Sequence, residues 1–180
     1  HSARFVLIGS MNPEEGSLRP QLLDRFGMVV DVEAETDVDK RVQIIENRMA
    51  YEKNPGYFCR KYKEAQEELS ERIRTAREFL PKVRVPKELL KLAAEICVAY
   101  GTDGHRADIG MIRAAQTIAA LEGRKKASRE DLERAARYVL PHRMRKNPLE
   151  DGQMDPQVME EILSTGKKSS REPEASGEGD

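Results

Sequence analysis

One asparagine and a few arginines have the residue types and positions that suit chemistry on a phosphate group. Asn12 follows the apolar run of residues 5–9, which has the length and composition of a buried parallel strand. Ligands of parallel α/β sheets bind at the carboxyl ends of the strands, where an asparagine can orient a water molecule or a phosphate oxygen. The alternative is a turn-forming asparagine, because a proline follows it.

Arg25 lies at the end of a short helix predicted for residues 20–26, next to Asp24 and just before Gly27. An arginine fixed there can reach into a neighbouring subunit and neutralise charge on a phosphoryl group during its transfer. A surface salt bridge explains the same pattern without any chemistry. Arg19 carries the same two interpretations.

Arg106 lies in the first turn of a helix that follows the turn at residues 102–104. The positive end of the helix dipole disfavours a cation at that place, which favours a functional role. The alternative is an exposed arginine whose position costs little. Arg113, two turns further on, is interpreted as a structural ion-pair partner.

Other kinds of site are not predicted. The sequence has no Gly-x-x-x-x-Gly-Lys-Ser/Thr loop for phosphates and no apolar strand ending in Asp-Glu to hold Mg²⁺. The three histidines have no ligand neighbours at metal spacing, and Cys59 and Cys97 are interpreted as thiols in a reducing compartment. We therefore expect no metal site.

Charge and hydropathy limit the partners. Lys+Arg 31 against Asp+Glu 32 gives a net charge of −1, so we expect no nucleic-acid binding, which needs a surplus of cations. No apolar run approaches the roughly 20 residues that a membrane span needs, and no leader pattern is present. We expect a cytoplasmic protein with no membrane partner.

Two sequence patterns divide the chain. Residues 1–35 predict a strand, a helix and a strand (5–9, 20–26 and 28–32), as in an α/β unit. Residues 36–146 are predicted to be helical, with capping boxes at Thr36 and Ser128, helix stops at Gly101 and Gly123, and one long helix over 55–80. Residues 147–180 predict a polar, mostly disordered tail. The predicted fold class is mainly α: a remnant of an α/β core, then a helical bundle.

Several runs, in order, resemble the ATPase subunit of magnesium chelatase, an AAA+ protein. The first is Phe-Val-Leu-Ile-Gly-Ser-Met-Asn-Pro-Glu-Glu-Gly (5–16), followed by Leu-Arg-Pro-Gln-Leu-Leu-Asp-Arg-Phe-Gly (18–27). Gly-His-Arg-Ala-Asp (104–108) and the runs 120–124 and 141–150 continue the resemblance. It covers about residues 3–150 and implies that the first 35 residues belong to an AAA+ core and residues 36–146 to its lid.

The resemblance also implies residue roles. Asn12 would be the sensor-1 residue beside the γ-phosphate, and Arg106 the sensor-2 arginine of the lid. Arg25 would be the arginine finger acting on ATP in the next subunit, with Asp24 and Arg19 at that interface. The family's Walker A and B segments precede this region, so we expect the chain to begin inside a longer protein. That protein would use ATP and Mg²⁺, whereas this chain alone would be inactive and hold no cofactor tightly.

The function implied is ATP-driven insertion of Mg²⁺ into protoporphyrin IX, a ligase reaction of chlorophyll biosynthesis. The expected partners are identical subunits in a ring, a hexamer, and a chelatase D-type subunit or a von Willebrand A domain, whose linker the tail resembles. A second interpretation is a chelatase-like chaperone of the MoxR type that remodels a protein or loads a metal into one. A third is a non-catalytic helical module that docks partners through residues 55–80.

Overall fold

The computed structural model describes residues 3, 5–12, 14, 16, 18–144 and 159, and these residues are mainly helical. In chain order the helices of this part are α1 (Pro20–Leu23), α2 (Val38–Lys53), α3 (Pro55–Lys61), α4 (Lys63–Phe79), a 3-10 turn (Leu80–Lys82), α5 (Lys87–Ala99), α6 (Arg106–Leu121) and α7 (Arg129–Val139). A single parallel bridge joins Arg84 to Lys126. The mainly α class is confirmed.

The core lies where α5, α6 and α7 meet. Each of these helices buries one apolar stripe, and alanine makes up most of the stripe of α6 and half of that of α7, which lets the two backbones approach closely. The buried residues are Leu89, Leu92, Ala93, Ile96 and Cys97 on α5, Ala107, Met111, Ala115, Ala119 and Ala120 on α6, and Leu132, Ala135, Ala136 and Val139 on α7. The periodicity of the sequence predicts this bundle correctly.

Glycines end α5 and α6 where the sequence predicts. Gly101 has φ 63° and Gly123 has φ 68°, values in the left-handed region where a side chain is disfavoured. Ile109, whose spacing predicts an inward position, is 51% exposed instead. The inward face of α6 is therefore narrower than the apolar pattern suggests.

The helices before the bundle differ from prediction in two places. The cap of α2 is Asp37 and not Thr36, because the Asp37 carboxylate accepts hydrogen bonds from the backbone amides of Asp39 and Lys40. The predicted helix over 55–80 is broken at Tyr62, whose φ of −101° and ψ of 5° leave the helical region. The apolar spacing continues across the break, so the sequence pattern does not reveal it.

Aromatic side chains cluster beside the break at Tyr62. The ring of Phe58 lies 4.9 Å from that of Tyr62 and 5.8 Å from that of Tyr51, centroid to centroid. The Tyr62 hydroxyl also donates to Asn47 Oδ1 at 3.4 Å. These contacts fold α3 back along α2. One face of α2 carries an apolar stripe, Val38, Val42, Ile45 and Met49, which stays uncovered among the described residues with exposures of 47–71%.

The two expected strands are not formed within the described residues. Residues 5–9 and 28–32 have no strand assignment, and Phe5, Ile8 and Val32 are 79%, 89% and 91% exposed. A strand is stable only when neighbouring strands satisfy its amides and carbonyls, and no such neighbour lies beside either run in this part of the chain. Only the helix of the predicted unit forms, as α1.

The boundaries at 35/36 and 146/147 remain predictions. The predicted disordered tail lies outside the described residues, except for Met159, which is helical and 4% exposed in the core cluster. No helix in the described part is both long enough and apolar enough to cross a membrane. The same residues contain no cluster of three metal-ligating side chains.

The start of α7 rests on a buried carboxylate. Asp131, 1% exposed, accepts from the backbone amide of Ser128 at 2.8 Å and completes the predicted capping box. Arg124 binds both of its oxygens, at 2.8 and 2.5 Å. Burial raises the pKa of Asp131, but the bonds from Arg124 and Ser128 outweigh it and hold the pKa below its usual value. The carboxylate is therefore ionised at neutral pH.

Replacing Arg124 by Met is expected to destabilise the bundle by about 3 kcal/mol, because the buried Asp131 charge loses its partner. The measurement is urea unfolding followed by circular dichroism at pH 7. Arg134→Met is the matched control, since Arg134 is exposed and binds Glu122 at 2.6 Å without touching a buried charge. Equal unfolding midpoints for the two variants would contradict the importance of the Asp131 pair.

Candidate functional site

The turn after α1, residues 24–27, docks against the first turn of α6 and the residues that follow α7. Asp24 forms an ion pair with Arg106, 82 residues away in sequence. Its carboxylate also lies 3.5 Å from Nε of Arg143. The structure thus brings together two residues that the sequence singles out, Asp24 and Arg106, and adds a third that it does not.

Local structure sets the positions of Asp24 and Arg106. Pro20 occupies the first position of α1, where its missing amide costs nothing, and the helix closes after Leu23 so that Asp24 begins the turn. Gly104, with φ 69°, turns the chain immediately before α6 and leaves Arg106 as its first residue. The Arg106 side chain is 57% exposed and that of Asp24 is 33% exposed.

Arg143 is the most buried charged group of the site, with a side chain only 6% exposed. Its Nη2 donates to the carbonyl oxygens of Phe26 at 2.5 Å and of Asp24 at 3.2 Å. Its Nη1 donates to the carbonyl oxygens of Gly27 and Val139, each at 3.3 Å. Burial lowers the pKa of the guanidinium, while the Asp24 carboxylate raises it. Arginine keeps its charge under such shifts, so a cation lies beneath the turn.

His142 binds the same turn as its neighbour. Its Nε2 lies 3.0 Å from the Phe26 carbonyl oxygen. Because a carbonyl only accepts, Nε2 carries the proton, and Nδ1 is buried without a hydrogen-bond partner among the described residues. Burial lowers the pKa of His142, so the ring is neutral at pH 7. One carbonyl therefore accepts from two consecutive side chains.

The other predicted site residues lie outside this cluster. Arg25 is exposed and makes no ion pair or side-chain hydrogen bond with any residue of the described part. Asn12 and Arg19 are also exposed and have no side-chain partner within those residues. Gly9 lies close to the Phe26 ring, since a Cβ added there would be 3.7 Å from it. The segment that leads to Asn12 therefore passes the edge of the site.

The electrostatic balance of the site favours an anion. Arg106 and Arg143 lie at the site and Arg25 lies on the adjacent turn, while the carboxylates are those of Asp24 and of Asp108 in the first turn of α6. Arg25 and Arg106 are exposed, whereas Arg143 is not. The two accessible guanidinium groups have the planar donor geometry that binds phosphate oxygens.

Sequence reasoning missed Arg143 and His142 as site residues. Both lie within run 141–150, which carries part of the resemblance, but no local pattern distinguishes them. The residues of the turn that they bind lie more than 110 positions earlier in the sequence; Arg143 and Phe26, for example, are 117 residues apart. A run of Pro-His-Arg directly after an amphipathic helix was the only available signal.

Comparison with known proteins gives a consistent result. The family model described as the AAA lid domain matches residues 90–162. The chain is 43% identical to the magnesium-chelatase subunit ChlI homolog of Methanocaldococcus jannaschii, over 93% of this chain and 46% of that protein. It is 42% identical to the magnesium-chelatase 38 kDa subunit of Rhodobacter capsulatus, over 92% of this chain and 47% of the relative.

Two further comparisons concern an uncharacterised relative and the fold. A protein of Mycobacterium tuberculosis with no assigned function is 47% identical over 91% of this chain and 26% of its own length. A crystal structure of a protein from Cytophaga hutchinsonii, assigned as an ATPase, aligns with a TM-score of 0.59 at 21% identity, over 83% of this chain and 48% of that chain. The chain spans less than half the length of each of these relatives.

Replacing Asp24 by Asn is expected to loosen the turn more than replacing Arg106 by Gln. The first change leaves the buried Arg143 without a counter-charge and costs about 2 kcal/mol of docking. The second removes an exposed pair worth about 0–1 kcal/mol. The loss of docking free energy in each variant is measured by amide hydrogen exchange of Phe26 and Val29. Roughly 30-fold faster exchange is expected in the Asp24 variant. Equal acceleration in the two variants would show that Asp24 acts only through Arg106.

Proposed function

Because the chain belongs to the magnesium-chelatase family of AAA+ proteins, we propose that it completes an ATP site shared between neighbouring subunits of a ring. In this function Arg25 is the arginine finger, which acts on ATP held by the next subunit. Arg106 is the sensor-2 arginine of the lid and Asn12 the sensor-1 residue. ATP and Mg²⁺ are used by the intact protein.

One observation carries the proposal for Arg25. Its guanidinium is exposed and unpaired among the described residues, whereas both neighbours along the turn are fixed: Asp24 by ion pairs and Phe26 by the bonds from Arg143 and His142. An unpaired guanidinium on a backbone that is bound on both sides suits a group that must meet charge on a transferring phosphoryl group with little reorganisation. A surface salt bridge, the alternative from sequence, has no partner in this part of the chain.

Arg106 supports the same proposal from the lid. It is the first residue of α6, which packs in the core of the bundle, so movement of the lid displaces its guanidinium directly. Its ion pair with Asp24 is exposed, and exposed pairs exchange partners at little cost. A nucleotide phosphate can therefore replace the carboxylate on Arg106.

For the whole protein we propose ATP-driven insertion of Mg²⁺ into protoporphyrin IX, in a hexameric ring that works with a D-type subunit or a von Willebrand A domain. The support is identity of 42–43% to relatives named as chelatase subunits and one chelatase homologue. A MoxR-type chaperone is the second candidate. The uncovered apolar stripe on α2 favours it, because such a face suits a protein substrate or partner.

Replacing Arg25 by Ala is expected to abolish turnover without weakening nucleotide binding. The chain is first joined to a nucleotide-binding segment with a Walker A loop, and ATP hydrolysis and nucleotide Kd are then measured. Loss of the finger should lower kcat by roughly 10³–10⁵ while Kd stays constant. Arg113→Ala, an exposed arginine on α6, is the matched control. Unchanged turnover in the Arg25 variant would reject the finger assignment.

A second measurement separates the two substrate classes. The same ATPase is mixed with Mg²⁺, ATP, protoporphyrin IX and a porphyrin-binding partner subunit, and the emission shift of the metallated porphyrin is followed. We expect metallation that requires ATP and disappears with Arg25→Ala. ATP hydrolysis without metallation, stimulated instead by a protein substrate, would favour the chaperone.

A further inference from the structure

The hydrogen bonds of Arg143 fall on both sides of Arg25. Three backbone carbonyls of the turn accept from its guanidinium: that of Asp24, one residue before Arg25, and those of Phe26 and Gly27 after it. The fourth carbonyl, that of Val139, belongs to α7. A single buried side chain thus connects the backbone around Arg25 to the end of the lid.

We propose that Arg143 is a positioning residue for Arg25, fixing the finger-bearing turn to the lid helices so that the position of the lid sets the position of the finger. The inference rests on the proposed function of Arg25 and assigns a role to a residue that does not itself reach a nucleotide. Its physical basis is geometric, since misplacing a reacting group by about 1 Å can cost roughly 10²-fold in rate.

Only an arginine suits this place. Four carbonyl oxygens accept from its Nη1 and Nη2 at 2.5–3.3 Å, as a planar guanidinium allows, and the Asp24 carboxylate lies 3.5 Å from Nε, which makes no hydrogen bond within the described residues. A lysine ammonium is a compact charge with three donors and cannot reach all of these acceptors. Arg143→Lys therefore keeps the positive charge but removes most of the hydrogen bonds to the carbonyls of the turn.

Helix α6 provides the space for the guanidinium. A Cβ added at Gly110 would lie 3.3 Å from Nη1 of Arg143 and 3.1 Å from Cγ1 of Val139. Glycine inside a helix costs roughly 1 kcal/mol relative to alanine, so an interior glycine here is explained by this close approach. Gly110 is four residues after Arg106, which places the Arg143 contact one turn along the same helix.

The consequence is a direct link between two proposed nucleotide-contacting arginines. Arg106 lies on α6, and Arg143 packs against α6 one turn further along. Both side chains bind the turn that carries Arg25, and Arg106 does so through the Asp24 carboxylate. Movement of α6 together with the other lid helices therefore carries the turn with it. The position of Arg25 relative to the ATP of the neighbouring subunit then depends on the lid position of the subunit to which Arg25 belongs.

The first test uses the 180-residue chain. Hydrogen exchange is measured at Arg25 and Phe26, whose amides donate to Leu22 and Leu23, and at Val29, whose amide donates to Tyr138. In Arg143→Lys we expect at least tenfold faster exchange at these amides and unchanged protection in α5 to α7. Arg137→Lys, an exposed change on α7, is the control. Unchanged exchange of the turn would overturn the proposal.

A second variant covers the case in which Arg143→Lys disturbs the bundle. Gly110→Ala keeps every donor and acceptor but crowds the guanidinium of Arg143 and, more closely, the side chain of Val139. We expect faster exchange at Arg25 and Phe26 with α5 protection intact. If the amides of Arg25 and Phe26 exchange at the same rate as in the unchanged protein, the packing of Arg143 against α6 does not control the turn and the proposal fails.

The third test is catalytic and uses the chain joined to its nucleotide-binding segment. Arg143→Lys should lower kcat by roughly 10²-fold with KM for ATP unchanged. In an Arg25→Ala background the same change should have no further effect, because Arg143 acts through Arg25. An equal loss in both backgrounds would mean a general structural role and overturn the proposal. If Arg25→Ala itself leaves turnover intact, the proposed function fails instead.

Discussion

A guanidinium removed from water must be surrounded by acceptors, and the arrangement of the N-terminal segment follows from this requirement. Arg143 is charged and nearly inaccessible, and the bundle offers it one carbonyl, that of Val139. The remaining acceptors come from residues 24–27. Without the turn, the charge would be left partly unsatisfied at a cost of several kcal/mol. Without Arg143, the turn would lose the side chain that binds it most extensively.

The bundle can offer this place because its helices are close together. Alanines at 107, 115, 119 and 120 on α6 and at 135 and 136 on α7 reduce the separation of the two helices. Gly110 is another small residue of α6, and it lies beside Val139, the last residue of α7. The small residues that pack the core and the glycine that admits the guanidinium thus lie along one helix. Core packing and site geometry are therefore both set along α6.

Local sequence patterns predict the bundle well and the long-range contacts poorly. Periodicity, two glycine stops and the Ser128 capping box define α5, α6 and α7, because each signal acts within a few residues. The break at Tyr62 escapes prediction, since the apolar spacing continues across it. Resemblance singles out Asp24 and Arg106 separately, but nothing local shows that they pair. Arg143 has no periodic signal at all, because its role depends on residues more than 110 positions away.

The uncovered run at residues 5–9 has a consequence for the behaviour of the chain in concentrated solution. It is apolar, uncharged and exposed, and its amides and carbonyls have no strand beside them among the described residues. Such a segment is a template on which the same segment of another copy can pair, which is the physical origin of edge-to-edge aggregation. Residues 5–9 are therefore a place where copies of this chain can pair edge to edge, away from the buried core formed by α5, α6 and α7.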